Sequence, residues 1–152
     1  MSMTNDQVRD YLYQQIPLSR AMGIGIDQAA TSLVILNIPL APNINHRETA
    51  FGGSISAAGI LACWTLVHLR LDELDMHTRL VIHKNKMVYR QPIADDFQAQ
   101  CHFNDETTWD QVLEMLDRWG KAKLQLTASL VCQGKKAAEF QGSFVVVKVA
   151  EP

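Results

Sequence analysis

Apolar residues recur along the chain with two periods, and the switches between them divide it into elements. Val8, Tyr11, Leu12 and Ile16 fall at helical spacing behind Thr4 or Asn5, either of which can cap, and Pro17 ends the run. Residues 1–17 therefore predict an N-terminal helix. The short apolar run over 21–28 reads as a first strand. Residues 32–40 alternate and are rich in Val, Ile and Leu, a second strand, with Ala29-Ala30-Thr31 as the hairpin between them. Residues 78–91 predict a long strand carrying Leu80, Ile82, Val88 and Tyr89, closed by Pro92 and a turn at Ala94-Asp95-Asp96. Phe97, Ala99, Cys101 and Phe103 alternate with Gln98, Gln100 and His102 in a strand with one wet face. Thr107 or Thr108 caps a helix whose stripe is Trp109, Val112, Leu113, Leu116 and Trp119, with Gly120 just past its end. Two more alternating runs, 123–133 and 138–149, complete the chain.

Residues 54–71 follow neither period. No charge appears from Ser54 until Arg70, and the apolar side chains point in every helical direction. A helix apolar all round is buried. The run is somewhat short, and too rich in Ser, Gly and Thr, to suit a bilayer. Short turns between consecutive strands favour an antiparallel sheet. The expected fold is α+β: one curved antiparallel sheet of about six strands around one buried central helix, in a single domain over 1–152. One sheet cannot cover every side of that helix, which leaves room for a second subunit.

Composition narrows the functional classes. The formal net charge is −2, with no basic cluster along the chain to suggest nucleic acid or an anionic membrane. The first residues are polar and precede no apolar signal core, and Cys63, Cys101 and Cys132 are odd in number and lack metal-ligand spacing. A cytoplasmic location with reduced thiols, and no metal, is the expectation.

The candidate chemistry lies just before the central helix, in Pro42-Asn43-Ile44-Asn45-His46-Arg47-Glu48-Thr49-Ala50-Phe51-Gly52-Gly53-Ser54. Glycines let a ligand approach the backbone, and a first helical turn offers unpaired N–H groups and partial positive charge. Together they can hold an anion or a developing oxyanion. The bland alternative is a tight turn with Ser54 as the cap. As a nucleophile Ser54 lacks the second glycine of Gly-x-Ser-x-Gly. Cys63 within the buried helix reads as inert packing.

A sheet wrapped around one central helix, with Gly52-Gly53 at the helix entry, resembles the hotdog fold. Val88-Tyr89-Arg90-Gln91-Pro92-Ile93-Ala94-Asp95-Asp96 is similar to the strand and turn that follow the helix in hotdog thioesterases. Pro42-Asn43-Ile44-Asn45 followed by Thr49-Ala50-Phe51-Gly52-Gly53-Ser54 more closely resembles thioesterases of the YiiD C-terminal type. The resemblance implies a homodimer or dimer of dimers, a site at the subunit interface, and a thioester carried on coenzyme A or an acyl carrier protein. No cofactor is implied beyond coenzyme A as part of the substrate. Gly53 would be the oxyanion donor, helped by Gly52 or Ser54. Asn43, Asn45 and Thr49 would hold water or the thioester carbonyl, with Glu48 or His46 as base. Phe51, Gly52, Ile60, Trp64 and Tyr89 would line the substrate. Arg90, with Lys84, Lys86 or Arg47, would meet coenzyme A phosphates.

Two departures stand out. Many hotdog thioesterases have a histidine where Phe51 stands, and an acid in the second or third helical turn, where this chain reads Ala58-Gly59-Ile60-Leu61-Ala62-Cys63. Two readings therefore remain: a thioesterase, and a non-catalytic hotdog module that binds acyl thioesters or a protein partner.

Overall fold

The computed structural model describes residues 3–103 and 105–150. The order is α1 (Asn5–Gln15), α2 (Pro17–Ala21), β1 (Gly25–Ala29), β2 (Leu33–Ile38), α3 (Gly52–Asp72), β3 (Thr78–Tyr89), β4 (Phe97–His102), α4 (Glu106–Trp119), β5 (Lys121–Cys132) and β6 (Lys135–Lys148). The six strands form one antiparallel sheet in the order β1-β2-β4-β5-β6-β3. Its inner face wraps α3. The α+β class and the sheet around one central helix are as the pattern predicts.

The differences have local causes. Pro17 does not merely end α1; it occupies the first turn of the short helix α2, where its missing N–H costs nothing. Ala21 therefore ends that helix, residues 22–24 turn with Gly23 at a φ of +70°, and β1 begins only at Gly25. Asp105 caps α4, its carboxylate accepting the Thr108 N–H at 2.9 Å, so Thr108 is not the cap; the Thr107 side chain lies outside the described residues. Trp119 is exposed and leaves the α4 stripe. The strands β3 and β4 do not pair with each other. β3 pairs β6 at one sheet edge, β4 sits between β2 and β5, and residues 90–96 cross between them with Ile93 buried.

α3 is longer than expected, 21 residues rather than 18, and both glycines of the pair lie inside it. It is long and apolar enough to cross a membrane, but eleven of its residues are buried in this core. It approaches the sheet closely at Phe140 of β6, whose ring is fully buried. A Cβ on Gly59 would stand 2.7 Å from the Cβ of Phe140, and one on Gly142 2.6 Å from its ring. The two glycines are the space this ring occupies. Burying such a side chain contributes about 1.5–3 kcal/mol.

A stripe of α3 is left less covered. Gly53 is exposed, and Ser56, Ala57, Ile60, Trp64 and His68, at helical spacing beyond it, are half-buried. β3, with a sheet neighbour on one side only, is the exposed edge beside it.

Candidate functional site at the first turn of α3

The loop before α3 is built by two asparagines with separate tasks. Asn43 is 3% exposed, and its amide donates to the Met22 carbonyl at 2.9 Å and the Pro39 carbonyl at 2.8 Å. Its own carbonyl accepts the Phe51 N–H at 2.7 Å, so it fixes the point where the chain enters the helix. Asn45 shapes the turn beyond. Its Oδ1 accepts N–H groups from Arg47 at 2.8 Å and Thr49 at 3.2 Å, and its Nδ2 donates to Thr49 Oγ1 at 3.0 Å. The backbone closes the same turn, Asn45 N–H to Thr49 carbonyl at 2.8 Å. Thr49 thus serves the turn, through both its backbone and its hydroxyl. At its tip His46, Arg47 and Glu48 are exposed, and Glu48 takes a left-handed φ of +62°. For a non-glycine residue that conformation costs on the order of 1–2 kcal/mol, which the Asn45 hydrogen bonds offset. Ala50 ties the loop to the crossing segment, its N–H donating to the Ile93 carbonyl at 2.8 Å.

The helix then starts without a side-chain cap. Phe51 is the N-cap residue, and its carbonyl accepts the N–H groups of Ser54 at 2.9 Å and Ile55 at 3.1 Å. Ser54 is therefore not the cap, and its N–H is already engaged. The N–H groups of Gly52 and Gly53 have no acceptor among the described residues. They are the first amides of a long helix, where the partial charges of the backbone favour an anion. The Phe51 ring, 58% exposed, lies over Gly53, where a Cβ would collide with it. Tyr89, at the end of β3, donates its hydroxyl to the Gly52 carbonyl at 2.9 Å. With the exposed Ile44, these two rings give the first turn an apolar surround.

Other expected site residues stand elsewhere. Ile60 lies two turns along α3 and packs half-buried against the core. Trp64 is eleven residues beyond Gly53, about 16 Å along the axis, so one chain does not bring them together. Trp64 instead joins Tyr11 and His68 in an aromatic stack, its ring 5.0 Å from His68, with the indole N–H on the Leu80 carbonyl. Tyr11 belongs to α1, and nothing in its local sequence marked it for this stack. The three rings, with Asp72 and His77, line a cleft of about 260 Å³. Arg90 reaches Glu139 at 3.6 Å, which also holds Lys136 at 3.0 Å. The Lys136 hydrogen bond, then Gln141, keeps the Glu139 carboxyl below its usual range. Asp96 caps the Leu40 N–H, and Asp95 binds the Asp96 N–H, so both serve the turn. Cys63 and Cys101 are fully buried, sulfur to sulfur 3.1 Å, and burial pushes the Cys63 thiol well up. Such a thiol is not a nucleophile. No group of three His, Cys, Asp or Glu able to hold a metal occurs among the described residues.

Comparison with known proteins agrees with this architecture. Residues 5–148 match the model of the family described as "Putative thioesterase (yiiD_Cterm)". A protein of unknown function from Chlorobaculum tepidum is 30% identical with a TM-score of 0.89, over 97% of this chain and 99% of that one. A "putative thioesterase" from Shewanella oneidensis is 28% identical with a TM-score of 0.80, over 94% and 96%. A "probable thioesterase" from Pseudomonas aeruginosa, 18% identical over 98% and 99%, shares the fold with a TM-score of 0.84.

Proposed function

From the premise that the chain belongs to this YiiD C-terminal thioesterase family, we propose that it hydrolyses acyl thioesters of coenzyme A or an acyl carrier protein at the first turn of α3. One observation carries the reading: the Gly52 and Gly53 N–H groups have no acceptor among the described residues at the start of a 21-residue helix, beside exposed apolar rings. The thioester carbonyl accepts from the Gly53 N–H, with Gly52 adjacent, so the charge that develops on its oxygen as water attacks meets aligned dipoles. Phe51 and Tyr89 flank the acyl group, and Tyr89 holds the Gly52 carbonyl in place. Glu48 is the carboxylate of the loop and takes the proton from water. Asn45 and Thr49 act through it, by holding the turn that presents it. Arg90, just past the end of β3, meets the phosphates of coenzyme A; Lys84 and Lys86, which the sequence also offered for this, lie at outward positions of β3, on the other face of the sheet from α3.

The site is shared by two copies of the chain. Two features support this: the half-covered α3 stripe from Gly53 to His68, and the unpaired edge of β3 next to it. An edge strand of 12 residues is a template for pairing with another chain. In such a dimer Ile60 and Trp64 line a slot that the single chain leaves open.

A second reading has its own observation. Ala58 to Cys63 carry no acid, and the exposed Glu48 carboxylate has no hydrogen bond or ion pair among the described residues to orient it, as a module that binds acyl thioesters without cleaving them would have it. Free-thiol release from acyl-CoA esters, acetyl to palmitoyl and aromatic, separates the two. Turnover with a chain-length preference supports the thioesterase; saturable binding with no turnover of any ester or carrier-bound thioester supports the module. Light scattering at micromolar concentration tests the shared site, which a monomer would overturn.

A further inference from the structure

The folded sheet gathers charge that the linear sequence scatters. β3, β5 and β6 together hold eight of the chain's 14 lysines and arginines and one of its 16 acids, Glu139. The remaining residues hold six cations against 15 acids. A chain of net charge −2 therefore carries one strongly basic region.

Strand register places much of that charge on the outer face, away from α3. Phe140, Phe144 and Val146 of β6 and Leu124 and Leu126 of β5 point inward and are buried, so the alternate positions point out. On β3 these are Arg79, Lys84 and Lys86, all exposed; on β5 they are Lys121 and Lys123, also exposed. Between the two columns runs β6, opposite them with Val147, Val145, Ser143 and Gln141. Two strand spacings separate the columns, about 10 Å. That is about the diameter of an α-helix with its side chains, 10–12 Å. A groove of about 450 Å³ opens at the polar end of this trough, between Lys84 and Lys86 on one side and Gln125 and Thr127 on the other.

We infer that this outer face docks an acidic, amphipathic helix of a partner protein, laid along β6 between the two columns of cations. Carboxylates on both flanks of the helix meet Arg79, Lys84 and Lys86 on one side and Lys121 and Lys123 on the other. Its apolar stripe rests on Val145 and Val147, with the exposed Val81 at the margin. The valine floor separates this occupant from a nucleic-acid backbone or a lipid headgroup, which gain nothing from it. Glu139 does not oppose docking, because Lys136 and Arg90 already engage it. The inference stands apart from thioester cleavage, since it concerns the opposite face of the sheet.

The test uses the full chain and a fluorescein-labelled synthetic helix with glutamates on both flanks of a leucine stripe, read by anisotropy at low salt. Lys84→Glu with Lys86→Glu breaks one column, and Lys121→Glu with Lys123→Glu the other. Arg20→Glu with Arg118→Glu makes the same charge change elsewhere. Circular dichroism confirms that each variant is folded. Each column variant is expected to weaken binding about tenfold or more and the control less than about twofold, with raised salt weakening all of them. A scrambled peptide of the same composition should bind far more weakly. The inference is overturned by no binding, by equal binding of the scrambled peptide, or by equal loss in the control. It is also overturned by tighter binding to duplex DNA or phosphatidylserine vesicles, or by column variants that alter self-association of the chain alone.

Discussion

The two ends of α3 are built in opposite ways. Its C-terminal end is closed by the protein's own groups: the Trp64 indole donates to Leu80, the Glu73 N–H closes on the Arg70 and Leu71 carbonyls, and His68 lies against two rings, although the buried Thr65 hydroxyl has no partner among the described residues. At its first turn the amides of Gly52 and Gly53 have neither acceptor nor side-chain cap among the described residues, and a large apolar ring stands exposed over the second. Solvent-accessible amides in a first helical turn bond water until a ligand replaces it, whereas the other end has little left to offer one. The same helix supplies a closed end and an open one, where the proposed site lies.

The largest expected effect comes at the open end. Gly53→Pro deletes one N–H at a position in the first turn where proline is tolerated. If this amide receives the thioester oxygen, kcat falls about a hundredfold or more while the helix still forms. Gly53→Ala keeps the N–H and crowds only the Phe51 ring, which is free to swing outward, so its loss is much smaller. Equal rates for Gly53→Pro and wild type would place the oxyanion elsewhere. Gly59→Ala sharpens the contrast. It creates a similar clash, but with the buried Phe140, which has nowhere to go. It is expected to lower stability by about 1–3 kcal/mol in urea titration.

Next come the two asparagines of the loop. Asn43→Ala strips the Met22 and Pro39 carbonyls of a buried donor and is expected to cost about 2–3 kcal/mol of stability. Asn45→Ala loosens a half-exposed turn, with about 1 kcal/mol lost but the rate down about tenfold as Glu48 loses its setting. A rate unchanged in Asn45→Ala would show that this loop is not the one that handles water. Activity lost in Glu48→Gln but kept in His46→Gln would identify the base.

How much of this was legible follows from the range of the forces involved. Period and punctuation are local, so the alternation over β5 and the all-round apolar run of α3 announced a sheet around a helix. The Pro42–Ser54 stretch marked the candidate site for a similar reason, since glycines before an apolar helix imply exposed amides wherever the rest of the chain goes. Three things were not legible. The pairing of β3 with β6 instead of β4 depends on which edge the chain reaches after residues 90–96. The distance from Trp64 to Gly53 follows from helix geometry once both glycines are inside α3, but the stack with Tyr11 needs the N-terminal helix to fold back. The clamp role of Asn43 and the turn role of Asn45 could not be told apart, because both are asparagines beside proline or histidine and differ only in what lies above them.

The smallest effect concerns the closed end. Burial lowers the proton affinity of His68 from its ordinary value of 6.5, and the Asp72 carboxylate opposes this only in part. The groups facing it across the cleft are Tyr11, Asp72 and His77. The same burial, with Asp72, raises the Tyr11 hydroxyl. Because the folded chain holds the imidazole proton less firmly than the unfolded chain does, His68 contributes its full share of stability above 6.5. As pH falls below that value the unfolded chain takes up the proton first, and the contribution is lost on the way down to the lowered folded pKa. His68→Gln cannot titrate. Its urea midpoint should therefore fall less than that of wild type between about pH 7 and about pH 5. Parallel slopes would mean that His68 titrates as it does in water. A wild type that gains stability on acidification would mean that Asp72 and the two aromatic faces hold the imidazolium, and that this end of α3 is itself a charge-binding site.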